Sequence, residues 1–449
     1  MEPKRARGVL HDPLTPASAA GPASAYPPSV AQTLSYLANL IDSSIQVRGS
    51  GIGIRDFAAA FLGVPTTAIV VENIELDTLE FQLAALAFAD DLERHPPESV
   101  IGEDAEEPPH WHALELGELR LQIPYQLAAG FHAGELAPCP LVVSVVDTRQ
   151  YDRFEISVYV RARDAGHARA YLHDLLERGR TRTNPFRGKV LETVWDGGFG
   201  LTFRGASFTP TVRDDVVLAP SVWEALDRNV RGFFRSFEDL KRAGLARNRG
   251  VLLEGPPGTG KTAACRVLAQ ELSDVTVVFC DASTVSRSVR TLYKQLVHVA
   301  PAMVVMEDID LIVRNRDHGN GATLNEFLLA LDGAMSNHEG VVTIATTNDL
   351  HAIDPAARRS ARFDVVVRVD LPDKSARAAI LRRYLEKIEH EANVETVAAA
   401  TEGTSGADLR ELVGQALIRS TTDGSPVTTR SLLDVAAAFG SGRRAGLYL

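Results

Sequence analysis

Between Val30 and about His95 apolar residues recur at helical spacing, with Leu34, Leu37, Leu40 and Ile41 on one face and Leu79, Leu83 and Leu86 on another, joined less regularly by Phe81 and Phe88. The spacing predicts a small helical unit over residues 30–95. Farther on the period drops to two. Leu141 to Val146 and Phe154 to Val160 read as strands around a turn at Asp147 to Asp152, and a helix from Ala165 to Arg178 puts Ala168, Tyr171, Leu172, Leu175 and Leu176 on one face. With Leu191 to Val194 and Leu201 to Phe203 these elements predict a small α+β domain over residues 138–207. Residues 208–249 form a connector with helices near Val222 to Phe234 and Phe237 to Ala243. Beyond it, short apolar runs alternate with helical stretches. Val251-Leu252-Leu253, Val275 to Phe279, Met303 to Met306 and Val341 to Thr346 are the runs, and Ala263 to Ala269, Val289 to Val299 and Leu324 to Leu331 the helices. That alternation predicts an α/β doubly wound parallel sheet over residues 250–375, with a helical lid over 376–438.

The polar stretches supply the boundaries. Residues 1–29 are rich in Pro, Ala, Ser and Gly and bury too little to order themselves, so a disordered tail is expected. The run Glu98 to Pro109 is acidic and ends in two prolines, which predicts an acidic linker over residues 96–137. Gly49, Gly51 and Gly53 are only fragments of a dinucleotide fingerprint and have no strand before them, so they read as turns. His110 and His112 flank Trp111 without a third metal ligand nearby and read as surface residues.

Composition narrows the class. The chain's 449 residues exceed one ordinary domain, and 45% hydrophobic with 23% charged content is that of a globular protein. No run of eighteen apolar residues occurs, so no membrane-spanning segment is expected, and the basic N-terminus lacks the apolar core of a secretory signal. Cytoplasm is the expected location. Cys139, Cys265 and Cys280 lie far apart in apolar surroundings and read as reduced buried thiols, implying neither a disulfide frame nor zinc. A net charge of −11 argues against broad nucleic-acid binding.

The candidate chemistry gathers around Gly255-Pro256-Pro257-Gly258-Thr259-Gly260-Lys261-Thr262, between a buried strand and a good helix former. Its glycines let backbone N–H groups wrap an anion, and the new helix aims its positive end at the same point. Lys261 is placed to reach the β- and γ-phosphates of a nucleotide, and the Thr262 hydroxyl to hold Mg2+. The strand Met303 to Met306 ends in Glu307-Asp308, a Walker B pair. One carboxylate holds a hydrated metal and the next polarises the attacking water, as phosphoryl transfer from ATP with Mg2+ requires. Asn348 stands just past the strand Val341 to Thr346, where its amide can hold that water against the γ-phosphate.

With these residues on the page, residues from about 213 to 440 resemble a module of the AAA family of ATPases. The segment Asp354 to Asp364 is similar to the family's second region of homology. The resemblance implies that Arg359 and Arg362 reach the γ-phosphate of a neighbouring subunit. Thr404 to Leu409 resembles the lid motif of the protein-directed subgroup, with Ala407 where clamp loaders and replication initiators carry an arginine. Three departures stand out. The acids run Glu307-Asp308 rather than Asp-Glu, as in a minority similar to the mitochondrial respiratory-complex assembly ATPases. By position this gives the metal to Glu307 and the water to Asp308. Tyr384 takes the place of a nucleotide-facing histidine. The pore loop that usually carries an aromatic is shortened to Ala282 to Ser288, and the second pore segment, Arg314 to Gly321, is polar.

The resemblance implies a homo-oligomeric ring, usually a hexamer, acting on a protein client or adaptor through the N-terminal units. The last residues, 439–449, are expected to be a flexible tail ending in Leu447-Tyr448-Leu449. This ending resembles the C-terminus by which proteasomal ATPases dock on a 20S core, and a frayed end is the other reading. Two functions stay open: an ATP-driven remodelling or unfolding ring, which the tail favours, and a nucleotide-controlled scaffold that threads nothing, which the missing pore aromatic favours.

Overall fold

A computed structural model describes residues 53–104, 106–147, 154–182, 184–196, 200–245, 248–310, 329, 340–352 and 362–444. The predicted tail 1–29, the helical repeat at Leu34 to Ile41, the second pore segment, the helix Leu324 to Leu331 apart from Leu329, Arg359 and Leu447 to Leu449 lie outside the described residues.

The N-terminal part opens with helix α1 (Ile54–Leu62), strand β1 (Ile69–Leu76) and helix α2 (Thr78–Arg94), followed by β2 (Ser99–Ile101), β3 (His110–Leu116), β4 (Leu119–Phe131), β5 (Leu141–Asp147), β6 (Phe154–Arg161) and α3 (Ala165–Thr181). Its strands form an antiparallel sheet in the order β1-β6-β5-β4-β2, with β3 paired to β4. The period of two sorts side chains between the faces. Ala128 and Val142 join the small cluster with Ala58 and Leu62 of α1. Leu127, Ala129, Val143 and Val145 join the larger core beneath α2 and α3. Those two helices are riveted by Asp91, whose oxygens accept from Arg178 NH1 at 2.9 Å and NH2 at 2.8 Å and from the Tyr171 hydroxyl at 2.8 Å.

Two expectations are corrected here. The described part of 30–95 is not purely helical, because Ile69-Val70-Val71 is β-branched and the strand it starts pairs along its whole length with β6. Residues 96–137 are not a linker. They carry β2, β3 and β4, and the acidic signal belongs to a short turn in which Asp104 Oδ1 accepts the N–H groups of Glu106 and Glu107 at 2.8 and 3.1 Å.

The second sheet has the order β13-β9-β12-β11-β10-β7-β8, built from β7 (Val190–Asp196), β8 (Gly200–Gly205), β9 (Arg249–Glu254), β10 (Thr276–Cys280), β11 (Ala302–Met306), β12 (Val341–Thr347) and β13 (Val365–Arg368). All but β8 run parallel. The predicted 138–207 domain therefore ends early, because β7 and β8 extend this sheet rather than the first one. Leu191 and Val190 face opposite cores, as in an interior strand buried on both sides.

The connector is α4 (Pro220–Leu226), a π turn at Asp227–Arg231, α5 (Gly232–Arg235) and α6 (Phe237–Arg242). Helix α7 (Lys261–Glu271) packs with α4 against Val251, Leu253, Met303 and Val305, while α8 (Ala282–Val299) covers Leu252, Val304 and Met306 on the other face. The predicted pore segment forms the first turns of α8, which break at Ser288 (φ −148°, ψ 30°).

A helical lid follows: α9 (Lys374–Leu385), α10 (Val394–Ala400), α11 (Gly406–Asp423) and α12 (Thr429–Arg444), tied by the short strands β14 (His390–Glu391) and β15 (Val427–Thr428). It has its own core around Leu381, Val397, Leu409, Leu412 and Leu432. The predicted flexible leash from Gly440 is helical as far as Arg444, because no proline interrupts a helix already anchored through Leu432 and Val435.

The two sheets share one continuous core through α8. Polar ties reinforce it. Gln82 Nε2 donates to Thr202 Oγ1 at 3.0 Å, Gln295 Nε2 to the Leu201 carbonyl at 2.9 Å, and Asn184 Nδ2 to the His298 carbonyl at 2.8 Å. At Gly205 the approach is so close that an added Cβ would lie 2.1 Å from the Gly117 nitrogen. Gly205→Ala should therefore destabilise the fold by about 1–3 kcal/mol, as overpacking against backbone does. Gly53→Ala, where a Cβ meets nothing within 4 Å, should shift the urea midpoint little by comparison.

Candidate functional site

Strands β9, β11 and β12 end side by side, and the candidate residues sit on the turns that leave them. After Glu254 the chain bends through Gly255 to Gly260 and enters α7 at Lys261. Gly258 adopts φ +75°, and a Cβ there would come within 2.7 Å of both Ala407 Cβ and Ser405 Oγ. Only glycine fits at this junction of loop and lid. The Ala407 N–H donates to the Gly258 carbonyl at 3.1 Å, so the lid residue singled out from sequence does meet the phosphate loop.

Lys261 is buried. Its Nζ donates to the carbonyls of Gly255 at 2.7 Å and Pro256 at 2.9 Å, and to Asn348 Oδ1 at 2.9 Å. Asn348 Nδ2 then donates to Asp308 Oδ1 at 3.1 Å, completing a chain from ammonium through amide to carboxylate. Burial pulls the Lys261 pKa below its ordinary value, against the opposing charges of Asp308, Asp310 and Glu254.

Asp308 holds φ 49°, a left-handed conformation that costs a non-glycine residue about 1–2 kcal/mol. It is held there by its own N–H on Thr346 Oγ1 at 3.0 Å and by the Ile309 N–H on the Thr346 carbonyl at 3.0 Å. This backbone strain turns the carboxylate toward Asn348.

Glu307 takes a different direction. Its N–H donates to the Cys280 carbonyl at 3.2 Å, and its charge acts on the buried Cys265 thiol, one turn along α7 from Thr262. Burial, aided by Glu307, pushes that thiol up to about 12. Thr262 and Asp308 line a cavity of about 890 Å3, of a size for a nucleotide, and Glu307 is not among the described residues that line it. Hydroxyl and carboxylate oxygens are the donors that Mg2+ accepts, so the residues present fit that ion.

The rest of the cavity was only partly foreseen. Tyr384 lines it beside Ile380 of α9. Val216 and Leu218, on the loop before α4, form the facing apolar wall and were missed. Their signal was an apolar triplet between Asp214-Asp215 and the helix-starting Pro220. Also missed was Asp310, which is buried and accepts from Thr347 Oγ1 at 3.2 Å and the Asn348 N–H at 3.4 Å, fixing the turn that carries Asn348. Arg362 does not line this cavity. Its carbonyl abuts Gly250 at the start of β9, the strand whose other end leads to Lys261.

A strand–loop–helix cradle for phosphates, an acid-tipped neighbouring strand and a lid of helices define a P-loop nucleotide-binding module. Residues 251–371 match the family described as ATPase family associated with various cellular activities (AAA), and this part of the chain is an AAA ATPase domain, whose ligand is ATP with Mg2+. The chain is 34% identical over 267 residues to the ATP-dependent zinc metalloprotease FtsH 2 of Sphaerobacter thermophilus, covering 56% of this chain and 39% of that protein. It is 36% identical over 206 residues to FtsH of Hahella chejuensis (42% and 33%), and 34% over 260 residues to the chloroplastic FTSH 7 of Arabidopsis thaliana (54% and 31%). The chain thus spans well under half the length of these relatives.

Asp308→Asn should leave Mg-ATP bound and lower turnover at least about 100-fold, the scale of a lost general base. Lys261→Ala should abolish binding in a calorimeter, since the β/γ charge loses its ammonium. Normal turnover by Asp308→Asn would reverse the roles given to the two acids.

Proposed function

We propose that the chain is one subunit of a homo-oligomeric ring, of six copies by family resemblance, that hydrolyses ATP between neighbouring copies and uses the cycle to remodel protein clients. The observation that carries the ring is the separation of parts. Lys261, Asn348 and Asp308 converge on one cavity at the C-terminal ends of the strands, while Arg362 abuts the opposite, N-terminal end of β9, suited to a neighbour's nucleotide. Mg2+, when bound, offsets the charge of the β- and γ-phosphates. Lys261 exchanges its carbonyl partners for phosphate oxygens, Asn348 orients the attacking water, and Asp308 takes its proton. Thr262 and Glu307 hold the ion, and Arg359 and Arg362 act in trans.

A second reading, the scaffold that moves its N-terminal part without threading a chain, is favoured by one feature. Helix α8 begins with the segment facing the expected pore and ends inside the core shared with the N-terminal sheet, so motion of that helix moves both. The two readings share the ATPase cycle and differ in whether a client passes the pore. The relatives are named as proteases, which supports a protein client. The zinc in those names is not carried over, since the 449 residues contain no His-Glu-x-x-His. Docking of Leu447-Tyr448-Leu449 on a 20S core remains a finer proposal supported by those three residues alone. None of the described helices is long and apolar enough to cross a membrane.

Arg362→Ala should keep ATP affinity and lose about 10³-fold in kcat, as a missing arginine finger does. Mixing it with Lys261→Ala should restore part of the activity, because each chain supplies what the other lacks. No recovery across mixing ratios, or full wild-type activity in a monomer at high dilution, would sink the shared site.

A further inference from the structure

The loop Val212 to Pro220 is fixed at one end and reaches across the cleft at the other. At its fixed end Arg213 uses its whole guanidinium on two carboxylates. Nε and NH2 donate to Glu271 at 2.7 and 2.9 Å, NH1 donates to Asp227 Oδ2 at 2.8 Å, and NH2 also pairs with Asp227 Oδ1. The Trp223 ring lies 4.8 Å beneath the guanidinium carbon. This joins the loop to the connector and to the C-terminal end of α7, the helix that starts at Lys261.

Two residues on, Asp215 is shared between backbone and lid. Its Oδ2 accepts the Val212 N–H at 3.0 Å, and its Oδ1 pairs with Arg383 NH2 on α9. Val216 and Leu218, the next residues, are wall residues of the nucleotide cavity, which Asp215 and Arg383 also line. The pair therefore joins the large subdomain to the lid at the cavity itself.

We propose that the Asp215–Arg383 ion pair is a strap across the nucleotide cleft that sets how fast nucleotide leaves, with Arg213 as its anchor. The inference rests on the reading of the cavity as the ATP site. The strap is built to open. Arg383 NH1 also lies 3.0 Å from Glu386 Oε2, just past the end of its own helix, so the guanidinium keeps a partner when Asp215 lets go. Asp215 likewise keeps the Val212 N–H. Neither charge is stranded, and opening costs only what a partly exposed pair costs. A second tie between lid and large subdomain, Ala407 N–H to the Gly258 carbonyl at 3.1 Å, is made at the phosphate loop.

The test uses the full chain and a fluorescent ADP, displaced by excess unlabelled ADP in a stopped-flow instrument. Arg383→Gln and Asp215→Asn should each speed release about two- to fivefold, the scale of such a pair. The exchanged pair Asp215→Arg with Arg383→Asp should return the rate toward that of the parent chain. Arg382→Gln, whose side chain pairs with Glu395 within the lid, should leave release unchanged. Hydrogen exchange in α9 of the ADP-bound chain should rise in the two single variants and fall back in the exchanged one. Release unaltered in both single variants, or accelerated equally by Arg382→Gln, would overturn the strap. A parent chain that binds no ADP would instead overturn the reading of the cavity on which the strap depends.

Discussion

A buried ammonium whose hydrogen-bond partners, among the described residues, are neutral oxygens is the constraint around which this site is arranged. Lys261 leaves water for a position among two carbonyls and the Asn348 amide, and that desolvation is costly enough to lower its pKa. The position is stable because strand ends bring carboxylates near without letting one pair directly with the ammonium. Asn348 stands between Lys261 and Asp308 and bonds to both. An ammonium held this way has no strong anion to give up, so phosphate oxygens replace weak partners with strong ones. The strained Asp308 and the buried Asp310 follow from the same need, since both fix where the Asn348 amide points.

That arrangement explains what could be read in advance. The phosphate loop, the two acids and Asn348 are close to sequence markers of strand ends, and parallel strands must bring their C-terminal ends together. Val216, Leu218 and Arg383 were not legible in the same way. They come from a loop before α4 and a helix of the lid, and nothing in local spacing says that these meet. The N-terminal sheet was half legible for a related reason. The strict alternation of Phe154 to Val160 marked β6, but β4 is buried along most of its length and lacks a clean polar face. The acidic turn at Asp104 to Glu107 then made its surroundings look like a linker. The β7–β8 hairpin shows the limit most clearly, for its strands were found and assigned to the wrong sheet, since pairing across the chain is not a local property.

The shared core gives the fold its mechanical character. Helix α8 packs against β10 and β11 of the nucleotide sheet and meets α2 and β8, so no loose linker separates the N-terminal sheet from the ATPase domain. Side chains of the acid-bearing strand β11 and of the N-terminal sheet belong to one continuous packed cluster. The lid has a core of its own, and its contacts with the large subdomain include Ala407 at the phosphate loop and Arg383 at Asp215.

The bridge from lysine to acid through Asn348 is open to a single experiment, single-turnover hydrolysis by Asn348→Ala. With enzyme in excess over radiolabelled ATP, ATP affinity should stay within a few-fold of the parent chain and the chemical step should slow by about 10–100-fold, the loss of one well-placed polar group. An unchanged chemical step at full occupancy would contradict it.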